Sequence, residues 1–219
     1  MKTPSPGPTR ATSAGPARGH TAATLYEAAV AATGPGRYAM DSGIREAWPG
    51  ARVAGPAFTV QGAGGDNLAL QRAILAAPPG SVLVADVGGA DWGHWGEVLA
   101  VASRARGIAG LVIDGGVRDT VEMAELDFPV FSRHINVRGT RKLFPGVLGV
   151  PVHVGDTVVH AGDLIVGDVD GVVAIANDTV VNVLDTADAR AAKEADIMKR
   201  LRAGESTLDI YGLTGAARD

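Results

Sequence analysis

Cysteine is absent from all 219 residues. That excludes a disulfide framework, thiolate-bound zinc and a cysteine nucleophile, and it agrees with a reducing compartment such as the cytoplasm. Aromatic side chains make up only 5% of the chain, too few for a thick aromatic interior. No apolar run approaches the roughly 20 residues of a membrane-spanning helix. Positive charge is not in excess: the formal net charge is −4, so there is no basic field for nucleic acid. The first twenty residues lack any acid and any apolar centre, and they carry Lys2, Arg10 and Arg18 among Pro, Gly, Ser and Thr. A secretory signal needs an apolar core, and a transit peptide needs apolar residues at helical spacing. Residues 1–20 are therefore expected to form a disordered tail, with residues 21–219 as one domain.

Two things are plentiful. Apolar residues reach 46% and glycines number 30, a composition suited to a continuous core joined by many tight loops. Thr24-Leu25-Tyr26-Glu27 has the form of a capping box and predicts a short helix stopped at Gly34-Pro35-Gly36. Residues 54–60 predict a strand, followed by a glycine loop at 62–65. Asp66 then caps a helix whose apolar positions Leu70, Ala73, Ile74 and Ala77 follow helical spacing. The nearly continuous apolar run 82–87 predicts a strand covered on both faces. A loop through Gly88, Gly89, Gly93 and Gly96 leads to a helix over 97–106. Residues 111–113 give the next buried strand, and a glycine loop at 114–117 enters a short helix near Arg118–Thr120. Strand, loop and helix recurring in this order predict an α/β fold with a parallel or mixed sheet.

Past Pro129 the texture changes. Residues 150–176 hold short β-rich runs broken by Gly155-Asp156, Gly162-Asp163 and Asp170-Gly171, the pattern of hairpins. A long helix over 178–203 follows, then a tail with Leu208, Ile210 and Tyr211 that is expected to dock onto another surface.

The two glycine-rich turns after the central strands are the informative places. Gly96, Glu97, Val98 and Leu99 open a helix, whose first amides lack intrahelical partners and form a ready site for a carboxylate. Arg118 and Asp119 open the next helix. Both turns follow sheet strands and should meet at the carboxyl edge, where α/β proteins bind ligands. Taken alone, Glu97 and Asp119 would also serve as acids that suit a helix dipole, Arg118–Asp119 as a surface ion pair, and His94 between Trp92 and Trp95 as a packed or solvated loop histidine.

The combined strings are more specific. Gly65-Asp66-Asn67-Leu68, Trp95-Gly96-Glu97, Gly107-Ile108-Ala109-Gly110 and Ile113-Asp114-Gly115-Gly116-Val117-Arg118-Asp119 resemble the 4-hydroxy-4-methyl-2-oxoglutarate aldolases, a family that also contains regulators of ribonuclease E activity. Asp168-Val169-Asp170-Gly171-Val172-Val173 and the stretch 204–211 fit the same pattern. The resemblance covers nearly everything after residue 22. It implies a compact swivelling-type α/β/β domain with a mixed sheet and a β-rich C-terminal half, assembled as a homotrimer or hexamer. It implies a divalent ion, Mg2+ or Mn2+, held by Asp119, with Arg118 on the pyruvate part of a 2-oxo acid and the amides of residues 96–99 on its carboxylate. Glu97, and Glu194 from an adjacent subunit, would contact metal-bound water. Aldolases of this family often carry aspartate where this chain has Glu97.

The chemistry agrees with that assignment. Cleaving a C–C bond beside a 2-oxo acid leaves a pyruvate enolate, stabilised either by a lysine Schiff base or by a metal. The four lysines are Lys2, Lys142, Lys193 and Lys199, and none stands at a buried strand end. The metal route is therefore expected, with oxaloacetate decarboxylation accompanying aldol cleavage. The competing expectation is a non-catalytic regulator that binds ribonuclease E or another protein.

Overall fold

Three successive strand–helix units build the centre of the molecule. The computed structural model describes residues 16–213. After a 3-10 turn at Pro16–Gly19 come α1 (Ala22–Thr33), β1 (Arg45–Glu46), β2 (Val53–Gln61), α2 (Leu68–Ala76), β3 (Val82–Trp95), α3 (Glu97–Ala105), β4 (Gly110–Val117), α4 (Thr120–Glu125) and β5 (Val130–Ile135). The second half holds β6 (Val147–Leu148), β7 (Val152–Val154), β8 (Thr157–Val159), β9 (Leu164–Asp168), β10 (Gly171–Ile175), α5 (Val180–Arg202) and α6 (Thr207–Ile210). Residues 1–15, most of the expected tail, lie outside the described residues. Ala17 of its last part is buried.

The large sheet runs β1-β5-β4-β3-β2-β9-β10, with β6 on β2. β2, β3, β4 and β5 are mutually parallel, whereas β1, β9 and β10 join antiparallel. The sheet is mixed, as expected. Alternation sorts its side chains. Leu83, Ala85 and Val87 of β3 pack with Leu70, Ile74, Ala100 and Met123 under the helices. Val82 and Val84 face the other way, toward Val152, Val154 and Val159 of the β7–β8 hairpin. One face therefore carries helices and the other a small β layer, the α/β/β arrangement. α1 and α5 pack together over β9 and β10, around Leu25, Val166, Val173 and Val183. Burying each such aliphatic side chain contributes about 1.5–3 kcal/mol against chain entropy.

Four expectations shift. The first helix is capped by Thr21, whose hydroxyl accepts the Thr24 N–H at 3.2 Å. Thr24 therefore sits one turn inside the helix. α2 starts at Leu68, with the Asp66 carboxylate accepting the Leu68 N–H. The expected loop after Val87 is strand: β3 continues to Trp95 through register shifts that Gly88 and Gly89 permit with φ of +71° and +68°. Gly115 and Gly116 likewise lie inside β4. A Cβ at Gly116 would sit 2.6 Å from the Trp92 carbonyl oxygen, so this pair of glycines admits the bulged neighbour rather than making a turn. The Gly155-Asp156 hairpin is observed, with both residues at positive φ as a tight two-residue turn requires.

Candidate active site

β3 and β4 end side by side, Trp95 opposite Val117, and their exits build the site. From β4 the chain passes through Arg118 into α4, with Asp119 in the left-handed region at φ 57°, ψ 46°. Asp119 is the cap residue of α4, yet its carboxylate does not bond its own helix. It reaches across to α3 instead, where Oδ2 accepts the Glu97 N–H at 3.1 Å. The Arg118 N–H, donated to the Trp95 carbonyl at 2.8 Å, fixes this crossing. At Gly96 any Cβ would collide with the Asp119 carboxylate. Glycine is required there by close approach, since its extended backbone is open to any residue.

Arg118 Nε lies 3.7 Å from Asp119 Oδ2, with side chains 45% and 38% exposed. Such a pair contributes about 0–1 kcal/mol to stability. It leaves two opposite charges open to solvent beside a cavity of about 190 Å³, which Asn67, Gln71, His94, Trp95, Val98, Leu99 and Lys142 also line. Of the amides expected to hold a carboxylate, Glu97's is taken by Asp119 and Leu99's donates to the Gly96 carbonyl at 3.2 Å. Val98, second in the helix, keeps the orphan amide of a helix start. The Glu97 side chain is exposed. Glu194 lies on α5, 2.8 Å from Arg190 Nε, and does not line the cavity.

Lys142 is the charged residue of this cavity that the sequence did not place there. The loop after β5 returns to the β2–α2 turn, where Arg141 N–H donates to the Gly65 carbonyl at 2.8 Å and Leu143 N–H to Asp66 Oδ2 at 2.7 Å. Burial pushes the Asp66 carboxyl up, but the amides of Leu68, Leu143 and Phe144 and the charge of Arg141 outweigh it and hold Asp66 below its ordinary value. No periodicity marks such a tertiary return; the only hint was the Gly65-Asp66-Asn67 string. His94 is fully buried, and so is packed rather than solvated. Trp92 remains partly exposed, with the Arg138 guanidinium 5.9 Å from its ring centre.

Among the described residues, no cluster of three or more His, Asp or Glu side chains is placed to hold an ion unaided. A hard cation that keeps several waters needs only one or two protein carboxylates, the remainder coming from substrate oxygens. Asp119, anchored by one oxygen and half open to the cavity, fits that demand. A larger cavity, about 340 Å³, lies beside His20, Arg52 and Asp168. Asp168 there already accepts the Ala22 and Asp170 amides, so its charge is used internally.

A profile of the RraA-like family, described as Aldolase/RraA, matches residues 22–174. The chain belongs to this family. Among its relatives, a protein of Halalkalibacterium halodurans bearing the provisional name 4-hydroxy-4-methyl-2-oxoglutarate aldolase is 40% identical over 153 residues, 69% of this chain and 71% of the other. A crystal structure of an uncharacterised Pseudomonas syringae protein superposes with TM-score 0.81 at 28% identity, covering 94% of this chain and 96% of the other. Streptomyces coelicolor RraAS2, described as an unusual member of the RNase ES inhibitor RraA family, gives TM-score 0.73 at 28% identity over 86% and 96%. RraA-like relatives thus carry both an aldolase name and a nuclease-inhibitor name, and the local chemistry has to choose between them.

Proposed function

We propose that this RraA-like chain is a divalent-metal-dependent lyase that cleaves a 4-hydroxy-2-oxo diacid, such as 4-hydroxy-4-methyl-2-oxoglutarate, to pyruvate, and that it also decarboxylates oxaloacetate. The observation that carries this reading is the Asp119 carboxylate seated on the Glu97 N–H beside Arg118, at the mouth of a cavity that also gathers Lys142.

Asp119 would hold Mg2+ or Mn2+, which when bound supplies Lewis-acid polarisation of the 2-oxo group. The Val98 amide and the positive end of α3 hold the carboxylate next to that group. The Arg118 guanidinium stands where charge collects as the C3–C4 bond breaks and its electron pair becomes the pyruvate enolate. In the retro-aldol cleavage the C4 hydroxyl gives up its proton and C3 gains one; in the decarboxylation carbon dioxide leaves and C3 is protonated alike. Glu97, exposed at the helix start, moves these protons through water, and Glu194 from a neighbouring copy is assigned the same duty. Lys142 supplies the positive charge for the far carboxylate of a diacid. It is solvent-exposed and lacks the burial that activates a Schiff-base amine.

The enzyme would work as a homotrimer or hexamer in the cytoplasm. Among the described residues no helix is long and apolar enough to cross a membrane. The test is pyruvate release from oxaloacetate and from a 4-hydroxy-2-oxo diacid, with Mg2+ and then with chelator. Turnover that survives the chelator would remove the metal route. A ribonuclease partner captured at stoichiometric ratio, together with no turnover on any 2-oxo diacid, would establish the regulator instead.

A further inference from the structure

We infer that His94 is a positioning residue: one neutral imidazole ties the wall that carries Arg118 to the wall that carries Lys142. The consequence for turnover rests on the lyase reading above, while the latch itself rests on geometry. The ring is fully buried. Its Nε2 lies 2.9 Å from the Gly65 nitrogen. A backbone N–H only donates, so Nε2 is unprotonated. The proton is then on Nδ1, which faces the Gly116 carbonyl at 3.3 Å, a group that only accepts. Both partners are buried, and together they specify a single tautomer.

Each bond leads to a functional side chain. Gly116 precedes Arg118 by two residues on β4. Gly65 belongs to the turn that holds the Lys142 segment from both sides, through its own carbonyl to Arg141 and through Asp66 to Leu143. The His94 carbonyl adds a third tie, accepting from Asn67 Nδ2 at 3.1 Å, and Asn67 Oδ1 in turn accepts from Gln71 Nε2 at 3.0 Å. β3 therefore sets the distance between the guanidinium and the ammonium that would grip the two ends of a diacid. An apolar side chain of similar size would fill the space but leave the Gly65 N–H and Gly116 carbonyl buried and unpaired.

Two amide variants separate the bonds. In His94→Gln the side-chain oxygen reaches the Nε2 position and keeps the Gly65 bond. In His94→Asn the amide reaches only the Nδ1 position, so the Gly116 bond survives and the Gly65 bond is lost. Three readouts on the full chain decide the matter: ring-nitrogen chemical shifts of the wild type, amide hydrogen exchange over residues 65–67 and 141–143, and kcat against KM for a 4-hydroxy-2-oxo diacid with Mg2+. The expected results are a proton on Nδ1, exchange over 141–143 about tenfold faster in His94→Asn with little change in His94→Gln, and a KM raised by about the same factor in His94→Asn alone. A proton on Nε2 in the wild type overturns the latch without recourse to any variant. Equal exchange in both variants at 141–143 overturns it too. A wild type with no turnover removes the lyase reading and leaves the latch to be decided by exchange and tautomer.

Discussion

At Asp119 a backbone conformation that side chains rarely adopt aims a carboxylate at the start of the neighbouring helix, and Gly96 clears the space it needs. Replacing Gly96 with Ala should push that carboxylate off the Glu97 amide. Mn2+ affinity by calorimetry is expected to fall by at least about tenfold, the scale of one lost charge-assisted hydrogen bond, with the far-ultraviolet circular dichroism unchanged. Arg118→Ala should lower kcat by about 10²–10³-fold, as the loss of a fixed donor at a developing oxyanion does. Steady-state assays would check this, and the melting temperature should stay within a degree or two, because the Arg118–Asp119 pair is half exposed and contributes little to folding. Arg118 and Asp119 were legible in the chain as one string. Lys142 and His94 were not, because each acquires its place from contacts between segments: residues 65–67 with 141–143, and β3 with the turn after β2.

Among the elements, β4 and β5 are tied to the hairpin layer by a charged cluster outside the cavity. Arg133 bonds Asp114 through both Nε and Nη2 and Asp41 through Nη1, and Asp114 also accepts the Gly155 N–H at 2.9 Å. Burial pushes the Asp114 carboxyl up, but the Arg133 and Gly155 hydrogen bonds outweigh it and hold it below its ordinary value. A carboxyl whose pKa is lower in the folded state adds stability that is complete above the ordinary carboxylate range and disappears as pH falls through the lowered folded value. Asp114→Asn should therefore cost about 2–3 kcal/mol near neutral pH, less than a fully buried pair because Arg133 keeps some solvent and Asp41. Urea melts at pH 7 and pH 3 would check this, and the difference between wild type and variant should shrink at the lower pH. Asp114 belongs to the same string as Arg118 and Asp119, so nothing in the sequence separated its structural work from the role proposed for them. The apolar cores of β2, β3 and β4 were readable because strands covered on both faces have no polar alternation to confuse. The continuation of β3 over 88–95 was not, since glycines that permit bulges look the same in sequence as glycines that make loops.

At the scale of the molecule, Ala187 is the last buried residue of α5, and beyond it Met198 and, after the helix, Leu208, Tyr211 and Leu213 are exposed. Exposed apolar side chains of this kind suit contact with another copy, and the proposed role of Glu194 requires one. Sedimentation equilibrium should give three or six times the 22.3 kDa chain mass, and Glu194→Gln should lower kcat without changing that mass. The central claim is a metal-dependent enolate chemistry at Asp119 and Arg118. Its most direct test is pyruvate formation from oxaloacetate and a 4-hydroxy-2-oxo diacid by wild type and Asp119→Asn, each with Mg2+ and with chelator. The account predicts turnover only for the wild type with metal; equal rates in all four conditions would contradict it.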